Sequence, residues 1–197
     1  MASARAWIVT AVLLACLLAG PTDSWFRRRR RRRCPAYNTA LPGAINNWDR
    51  PFKFQCPGPN QVISRIQSVH CDTTEDRVWR FECKSVPGLS NFQEHFWTPW
   101  VNDYDGQMGF TCPFNSLVTG FESKHSNSQE DRRWMVRCSK TAGMVTYNNV
   151  LTPYQNEWDK PMDYSATFGY FLRGIHGYHD NSKNDRRYKF DVCRIQV

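Results

Sequence analysis

The sequence predicts an all-β, disulfide-stapled domain built from three tandem repeats. Three observations lead to this prediction. A signature of Asp-Arg, an aromatic residue and a terminal strand occurs three times, and its aspartates are 55 and 54 residues apart. Apolar and polar residues alternate within the copies, which is typical of half-buried strands. The first two copies also carry cysteines at matching positions.

The first 24 residues are typical of a secretory signal peptide. Arg5 supplies a positive charge, residues 6–18 are apolar, and the small residues Ala19 and Gly20 follow. This stretch is too short to span a bilayer, and no later stretch is apolar enough to do so. We therefore expect a protein without a membrane span that is secreted to the extracellular space or matrix.

Residues 25–33 form a separate segment that carries most of the net charge of +8. Its consecutive arginines are Arg27, Arg28, Arg29, Arg30, Arg31, Arg32 and Arg33. From Cys34 onward, 18 basic and 17 acidic residues nearly cancel, so we expect no nucleic-acid partner. The run is either a processing site for a dibasic protease or, if retained, a polycation that attracts glycosaminoglycans and other polyanions.

We expect residues 34–197 to form a single domain, with repeats at about 43–86, 97–140 and 151–195. The signature residues are Asp76, Arg77 and Trp79 in the first copy, Asp131, Arg132 and Trp134 in the second, and Asp185, Arg186 and Tyr188 in the third. We interpret these residues as structural. The carboxylate would cap a turn, the guanidinium would bind backbone carbonyls, and the aromatic ring would lie in the core.

The local pattern within each copy is that of strands. Phe52, Phe54 and Cys56 alternate with polar residues, and a further strand is predicted at 98–101 and at 152–155. Three such units predict a closed pseudo-threefold architecture. A β-prism, with one self-contained sheet per unit, is favoured, and a β-trefoil is the alternative.

The repeat also predicts two disulfides. Cys16 leaves with the signal peptide, so seven cysteines remain, and an odd number implies a free or intermolecular thiol. The matching positions favour Cys56–Cys83 and Cys112–Cys138, and a loop of this size contributes about 3 kcal/mol.

The third copy departs from this cysteine pattern. Ala166 replaces its first cysteine, and Cys193 lies one residue later than the pattern requires. A slip of one residue turns a strand side chain to the opposite face, so Val192 takes the inward place. We expect a Cys34–Cys193 bond, and Cys71 as the odd thiol of a disulfide-linked homodimer. A Cys71–Cys193 bond with free Cys34 is the competing assignment.

No residue is predicted to be catalytic. The chain lacks the nucleophile, phosphate-loop and metalloprotease motifs that would indicate an enzyme. His70, His125 and His179 each precede the repeated aspartate by six residues and could ligate a metal if they met. Strand-to-loop junctions usually splay apart, however, so we expect no metal and no cofactor, and interpret these histidines as pH-sensitive surface contacts.

The repeated motifs resemble those of the dermatopontin family. The segments that carry the likeness are DRVWRFEC, DRRWMVRC, DRRYKFDVC, FQCP, FTCP and VTGFES, and they cover about Trp48 to Cys193. The resemblance implies an extracellular protein, without cofactor or enzyme activity, that associates with collagen and proteoglycans, promotes cell attachment, or acts as a haemagglutinin and cell-aggregation factor. Matrix members of the family are often acidic and rich in tyrosine at the N-terminus, where this chain has its arginine run.

Two functional hypotheses follow. The first is a matrix adhesion protein that attaches cells, fibrils or glycosaminoglycans through multivalent contacts. The alternative is a soluble, carbohydrate-binding haemagglutinin or cell-aggregation factor of innate defence.

Overall fold

The computed structural model describes residues 33–197, so the predicted signal peptide and residues 27–32 of the arginine run lie outside the described residues. The described chain is all-β apart from one helical turn, α1 (Tyr37–Ala40). Its strands are β1 (Phe52–Gln55), β2 (Gln61–Cys71), β3 (Asp76–Ser85), β4 (Glu94–Trp97), β5 (Met108–Thr111), β6 (Leu117–Ser126), β7 (Asp131–Lys140), β8 (Val145–Leu151), β9 (Met162–Ser165), β10 (Phe171–Asp180) and β11 (Asp185–Gln196). Over this range no helix is long and apolar enough to cross a membrane.

The strands form three antiparallel sheets that exchange strands between copies. Their orders are β1-β6-β7-β4, β5-β10-β11-β8 and β3-β2-β9. Each short strand leaves its own copy: β1 pairs with β6 of the second copy, β5 with β10 of the third, and β9 with β2 of the first. The expectation of one self-contained sheet per unit is therefore wrong. A lone hairpin has free edge groups, and the neighbouring copy supplies the strand that pairs with them.

The segments predicted as further strands lie just beyond two of the observed ones. β4 ends at Trp97 and β8 at Leu151, immediately before Thr98 and Thr152. The hydroxyls of these threonines accept hydrogen bonds from Val136 and Phe190 at 2.9 Å. A side-chain acceptor thus replaces the backbone acceptor, and each threonine is followed by a proline that cannot donate to a ladder.

Three aromatic rings, one from each signature, meet in the core. The centroid of Trp79 lies 4.8 Å from that of Trp134 and 5.2 Å from that of Tyr188, and both pairs are edge-to-face. All three side chains are buried. Edge-to-face pairs of this kind contribute about 0.5–1.5 kcal/mol each beyond the area they bury.

Gly120 allows the exchanged strand β1 to pack closely against β6, because a Cβ at this position would lie 2.6 Å from the carbonyl oxygen of Phe54.

The described residues contain three disulfides, and two of them join separate sheets. The Cys56–Cys83 bond connects the end of β1 to β3, and the Cys112–Cys138 bond connects the end of β5 to β7. Because β1 and β5 are exchanged strands, these bonds connect each one back to its own copy.

The third disulfide differs from the expected pairing. Cys34 bonds Cys71, so the expected Cys34–Cys193 bond and the assignment of Cys71 as the odd thiol are both wrong. The one-residue slip does place Val192 in the central core and Cys193 on the opposite face. That face is covered by apolar side chains, and the Cys193 thiol is free and buried there.

Candidate functional site

The three Asp-Arg signatures meet in one buried ring of six charges. In each pair, two guanidinium nitrogens contact two carboxylate oxygens, at distances between 2.6 and 3.1 Å. The pairs are Arg77 with Asp185, Arg132 with Asp76, and Arg186 with Asp131. Every arginine binds the aspartate of another copy. The ring therefore joins all three copies to one another.

The ring is also bonded to the backbone around it. The amide of Asp49 donates to Asp76 at 2.8 Å, and Arg132 donates to the carbonyl of Arg50 at 3.1 Å. Burial by itself would raise the pKa of Asp185, but the hydrogen bonds and charge of Arg77 hold it below its usual value. A buried ion pair stabilises a fold only when such additional bonds are made. The geometry supports a structural role for the signature.

His70, His125 and His179 converge beside this ring. They line one cavity of about 20 Å³ together with the ring aspartates and arginines, a space about large enough for one water molecule. Their side chains are 1% exposed, so the expected surface contacts are wrong. The hairpins β2–β3, β6–β7 and β10–β11 present their tips at the same end of the ring, and the histidines therefore do not splay apart.

In two of these histidines, both ring nitrogens lie close to oxygen atoms that can accept a hydrogen bond. For His125, Nδ1 lies 3.5 Å from Asp49 Oδ1 and Nε2 lies 3.3 Å from the carbonyl oxygen of Glu75. For His179, the corresponding distances are 3.4 Å to Asp105 and 3.2 Å to the carbonyl oxygen of Glu130. Each histidine thus connects one copy to another through polar contacts.

Three groups of side chains near the ring have a spacing that suits a metal ion. Each contains one histidine and two aspartates whose ligand atoms lie within 4.8 Å of one another. In each group one of the aspartates belongs to the ring, and both of its oxygens already accept hydrogen bonds from an arginine. A bound cation would have to displace those bonds and lie beside a guanidinium. The donor set therefore does not fit a resident metal.

A different kind of site lies on the outer face of the second copy, and we call it cluster A. The guanidinium carbon of Arg133 lies 5.2 Å from the ring centroid of Trp100 and 5.6 Å from that of Tyr104. The ammonium nitrogen of Lys124 lies 4.9 Å from the same Trp100 ring. All four side chains are half-buried, so rings and cations both remain accessible to solvent.

The third copy carries an equivalent arrangement, cluster B. The guanidinium carbon of Arg187 lies 4.4 Å from the ring centroid of Tyr154 and 5.7 Å from that of Trp158. The ammonium nitrogen of Lys189 lies 4.3 Å from Tyr154, and the ring of Tyr178 packs edge-on against both aromatic residues. Each such cation–π contact contributes about 0.5–1 kcal/mol at an exposed position.

The first copy has no such cluster. Val78 replaces the arginine and is buried. The indole of Trp48 donates to the carbonyl of Pro35, in the segment held by the Cys34–Cys71 bond. Neither cluster was predicted from the sequence. The available signal was the residue after the Asp-Arg pair, which is arginine in the second and third copies and valine in the first.

Comparisons with known proteins match most of the chain to one family. The dermatopontin family model matches residues 46–197. The chain is 38% identical to the hemagglutinin/amebocyte aggregation factor of Limulus polyphemus, over 77% of this chain and 87% of that protein. It is 36% identical to Millepora cytotoxin-1 of Millepora dichotoma, over 79% and 68% of the two chains.

A third relative bears the family's own name. The chain is 34% identical to dermatopontin of Biomphalaria glabrata, over 76% of this chain and 99% of the relative. No solved structure matches the chain. The family model covers most of the sequence and includes all three copies of the signature, so the chain belongs to the dermatopontin family.

Proposed function

We propose that this protein is a secreted adhesion protein that attaches cells and extracellular matrix to each other through several weak glycan or fibril contacts. The predicted signal peptide supports secretion. Two of the relatives are named as an aggregation factor and as a dermatopontin, which supports an adhesion or aggregation role.

The observation that carries this proposal is the pair of equivalent clusters on one chain. Arg133 of cluster A lies on β7, and Arg187 of cluster B lies on β11, in a different sheet. The face of an aromatic ring can pack on the apolar face of a sugar, and the adjacent cations can pair with sulfate or carboxylate groups. Two sites on one chain can bridge two particles, and avidity then compensates for weak single contacts.

We infer that the scaffold behind the clusters is a closed pseudo-threefold ring. The cyclic exchange of β1, β5 and β9 and the cyclic Asp–Arg pairs support this inference. Such a ring would hold the clusters at a fixed separation. A chain that already carries two sites needs no disulfide-linked dimer to cross-link its targets.

The second candidate is a soluble carbohydrate-binding haemagglutinin. The aromatic rings of both clusters favour it, because ring stacking recognises neutral sugars as well as charged ones. Under this alternative simple sugars compete for binding. Under matrix adhesion only heparin-like polyanions or high salt compete, because the cations then supply most of the affinity.

Agglutination of erythrocytes and attachment of cells to the coated protein test the proposal. We expect Arg133→Ala and Arg187→Ala each to weaken both activities and the double variant to abolish agglutination. Arg80→Ala is the matched control, since Arg80 is a partly exposed strand arginine of the first copy outside both clusters. A folded double variant that agglutinates like the wild type would refute the proposal.

A further inference from the structure

The repeat symmetry is broken at one charged position of the sheets. The residue just before the last cysteine of the signature is Glu82 in the first copy. Because the third copy is slipped by one residue at Cys193, the equivalent residue there is Asp191. Both are paired, Glu82 with Arg65 at 3.3 Å and Asp191 with Arg173 at 3.0 Å. In these two copies, an arginine and a carboxylate neutralise each other.

The second copy has an arginine, Arg137, where the other two copies have the carboxylate. Its Nη1 donates to the hydroxyl of Thr119 at 3.1 Å. Among residues 33–197, no carboxylate oxygen lies within 4.0 Å of this guanidinium. Burial lowers the pKa of Arg137, as expected for a cation that has lost water without gaining a counter-charge.

Arg137 lines a cleft of about 180 Å³ between the second copy and the loop that follows β1. The other walls are formed by Gln55, residues 56–59, Gln61, Phe92 and His95, and none of these residues is acidic. The amide of Gly58 donates to the side-chain oxygen of Gln61 at 2.9 Å. This bond orients Gln61 and leaves its side-chain NH₂ group available as a donor.

His95 adds a second nitrogen-containing side chain to the wall. Its Nδ1 contacts the hydroxyl of Ser139 at 2.8 Å, so Nε2 remains available to a ligand. The pKa of His95 is lowered, first by burial and then by the charge of Arg137. A bound anion would offset both effects. The cleft therefore combines one cation without a carboxylate partner, three further polar side chains and no negative charge.

We propose that this cleft binds a small oxyanion, such as a sulfate, phosphate or carboxylate group. The anion supplies the negative charge that a carboxylate supplies in the other two copies, and Arg137 contributes charge-assisted hydrogen bonds to it. The volume of the cleft is below the roughly 300–1,000 Å³ of sites for drug-sized ligands. A single charged group fits better than a whole oligosaccharide. This site is separate from clusters A and B and does not depend on the proposed adhesion role.

Thermal unfolding and titration calorimetry with sodium sulfate and sodium phosphate test the site, with sodium chloride at matched ionic strength as the reference. We expect sulfate or phosphate to raise the Tm of the wild type, and Arg137→Gln to weaken binding by at least tenfold. Arg65→Gln is the matched control, because Arg65 is an arginine on the same face of the first copy that already has its carboxylates. It should bind the anion as the wild type does.

The stability of the variants gives a second readout. Without added anion, Arg137→Gln should raise the Tm or leave it unchanged, because it removes an unpaired, partly buried charge. Failure of both anions to bind the wild type, or equal binding to Arg137→Gln, would overturn the site. A sulfated disaccharide that binds more tightly than inorganic sulfate would identify a glycan as the source, and equal binding would identify the free ion. Anion binding and agglutination are measured in separate assays, so the proposed oxyanion site and the proposed adhesion role of clusters A and B can each fail without the other.

Discussion

Arg77 donates two hydrogen bonds, of 2.7 and 2.6 Å, to the two carboxylate oxygens of Asp185, which lies 108 residues later in the chain. This pair joins the first copy to the third and completes the ring of six charges. The same arginine also donates to Ser68 and to the carbonyl of Lys160. In the longest-range pair of the ring, all three guanidinium nitrogens of the arginine therefore donate hydrogen bonds.

Arg77→Met should destabilise the fold by about 3–5 kcal/mol, because it leaves Asp185 buried and unpaired. Lys53→Met is the control, since Lys53 pairs with Glu122 on the surface, where side-chain exposures are 58% and 30%. Such a pair contributes about 1 kcal/mol or less. Urea unfolding with the disulfides intact measures both. Equal losses in the two variants would show that the ring contributes no more than a surface pair.

Acid should weaken the ring. The pKa of Asp185 is lowered in the folded protein from its ordinary 3.8, so its contribution to stability is fully present above that value. This contribution is lost as the pH falls through the lower, folded pKa. Urea midpoints between pH 6 and pH 2 should fall more steeply for the wild type than for Asp185→Asn. Parallel curves would exclude Asp185 as a source of the acid sensitivity.

Asp49→Asn should stabilise the protein at neutral pH, by an amount on the order of 0.5 kcal/mol. Burial, and then the charge of Asp76, raise the pKa of Asp49, so the ionised form is disfavoured in the folded state. Asp49 also has a φ of 60°, which asparagine adopts readily. The gain should disappear as the pH falls through the raised pKa.

Asp72→Asn provides the comparison for Asp49, since the Asp72 side chain is 78% exposed. Urea midpoints of both variants at pH 7 and pH 4 distinguish a local charge effect from a general change in net charge. The same gain in both variants would point to net charge.

The thiol of Cys193 should be unreactive in the native protein. Burial raises the pKa of Cys193 to about 12, and the thiolate is the reactive form. Ellman's reagent should therefore detect no thiol in the folded secreted chain and one thiol per chain in guanidinium chloride. A reactive native thiol would contradict the burial of Cys193, and a dimer that dithiothreitol dissociates would contradict either that burial or the pairing of Cys34 with Cys71.

The sequence by itself determined the features that depend on neighbouring residues. Alternation in segments such as Phe52 to Cys56 reflects the two faces of a strand, and the one-residue slip at Cys193 reverses a face, so both follow from local geometry. The threefold signature likewise identified the core rings of Trp79, Trp134 and Tyr188, because a core position needs an apolar side chain in whatever sheet contains it.

Only the tertiary structure decided which copies contact each other. The exchange of β1 into the sheet of β6, the pairing of Arg77 with Asp185 and the bond of Cys34 to Cys71 all join residues far apart in the chain. A strand edge can pair with any complementary strand, and periodicity says nothing about which one is near. The absence of a carboxylate partner for Arg137 within the described chain is a property of the same kind, because it depends on every element packed around that side chain.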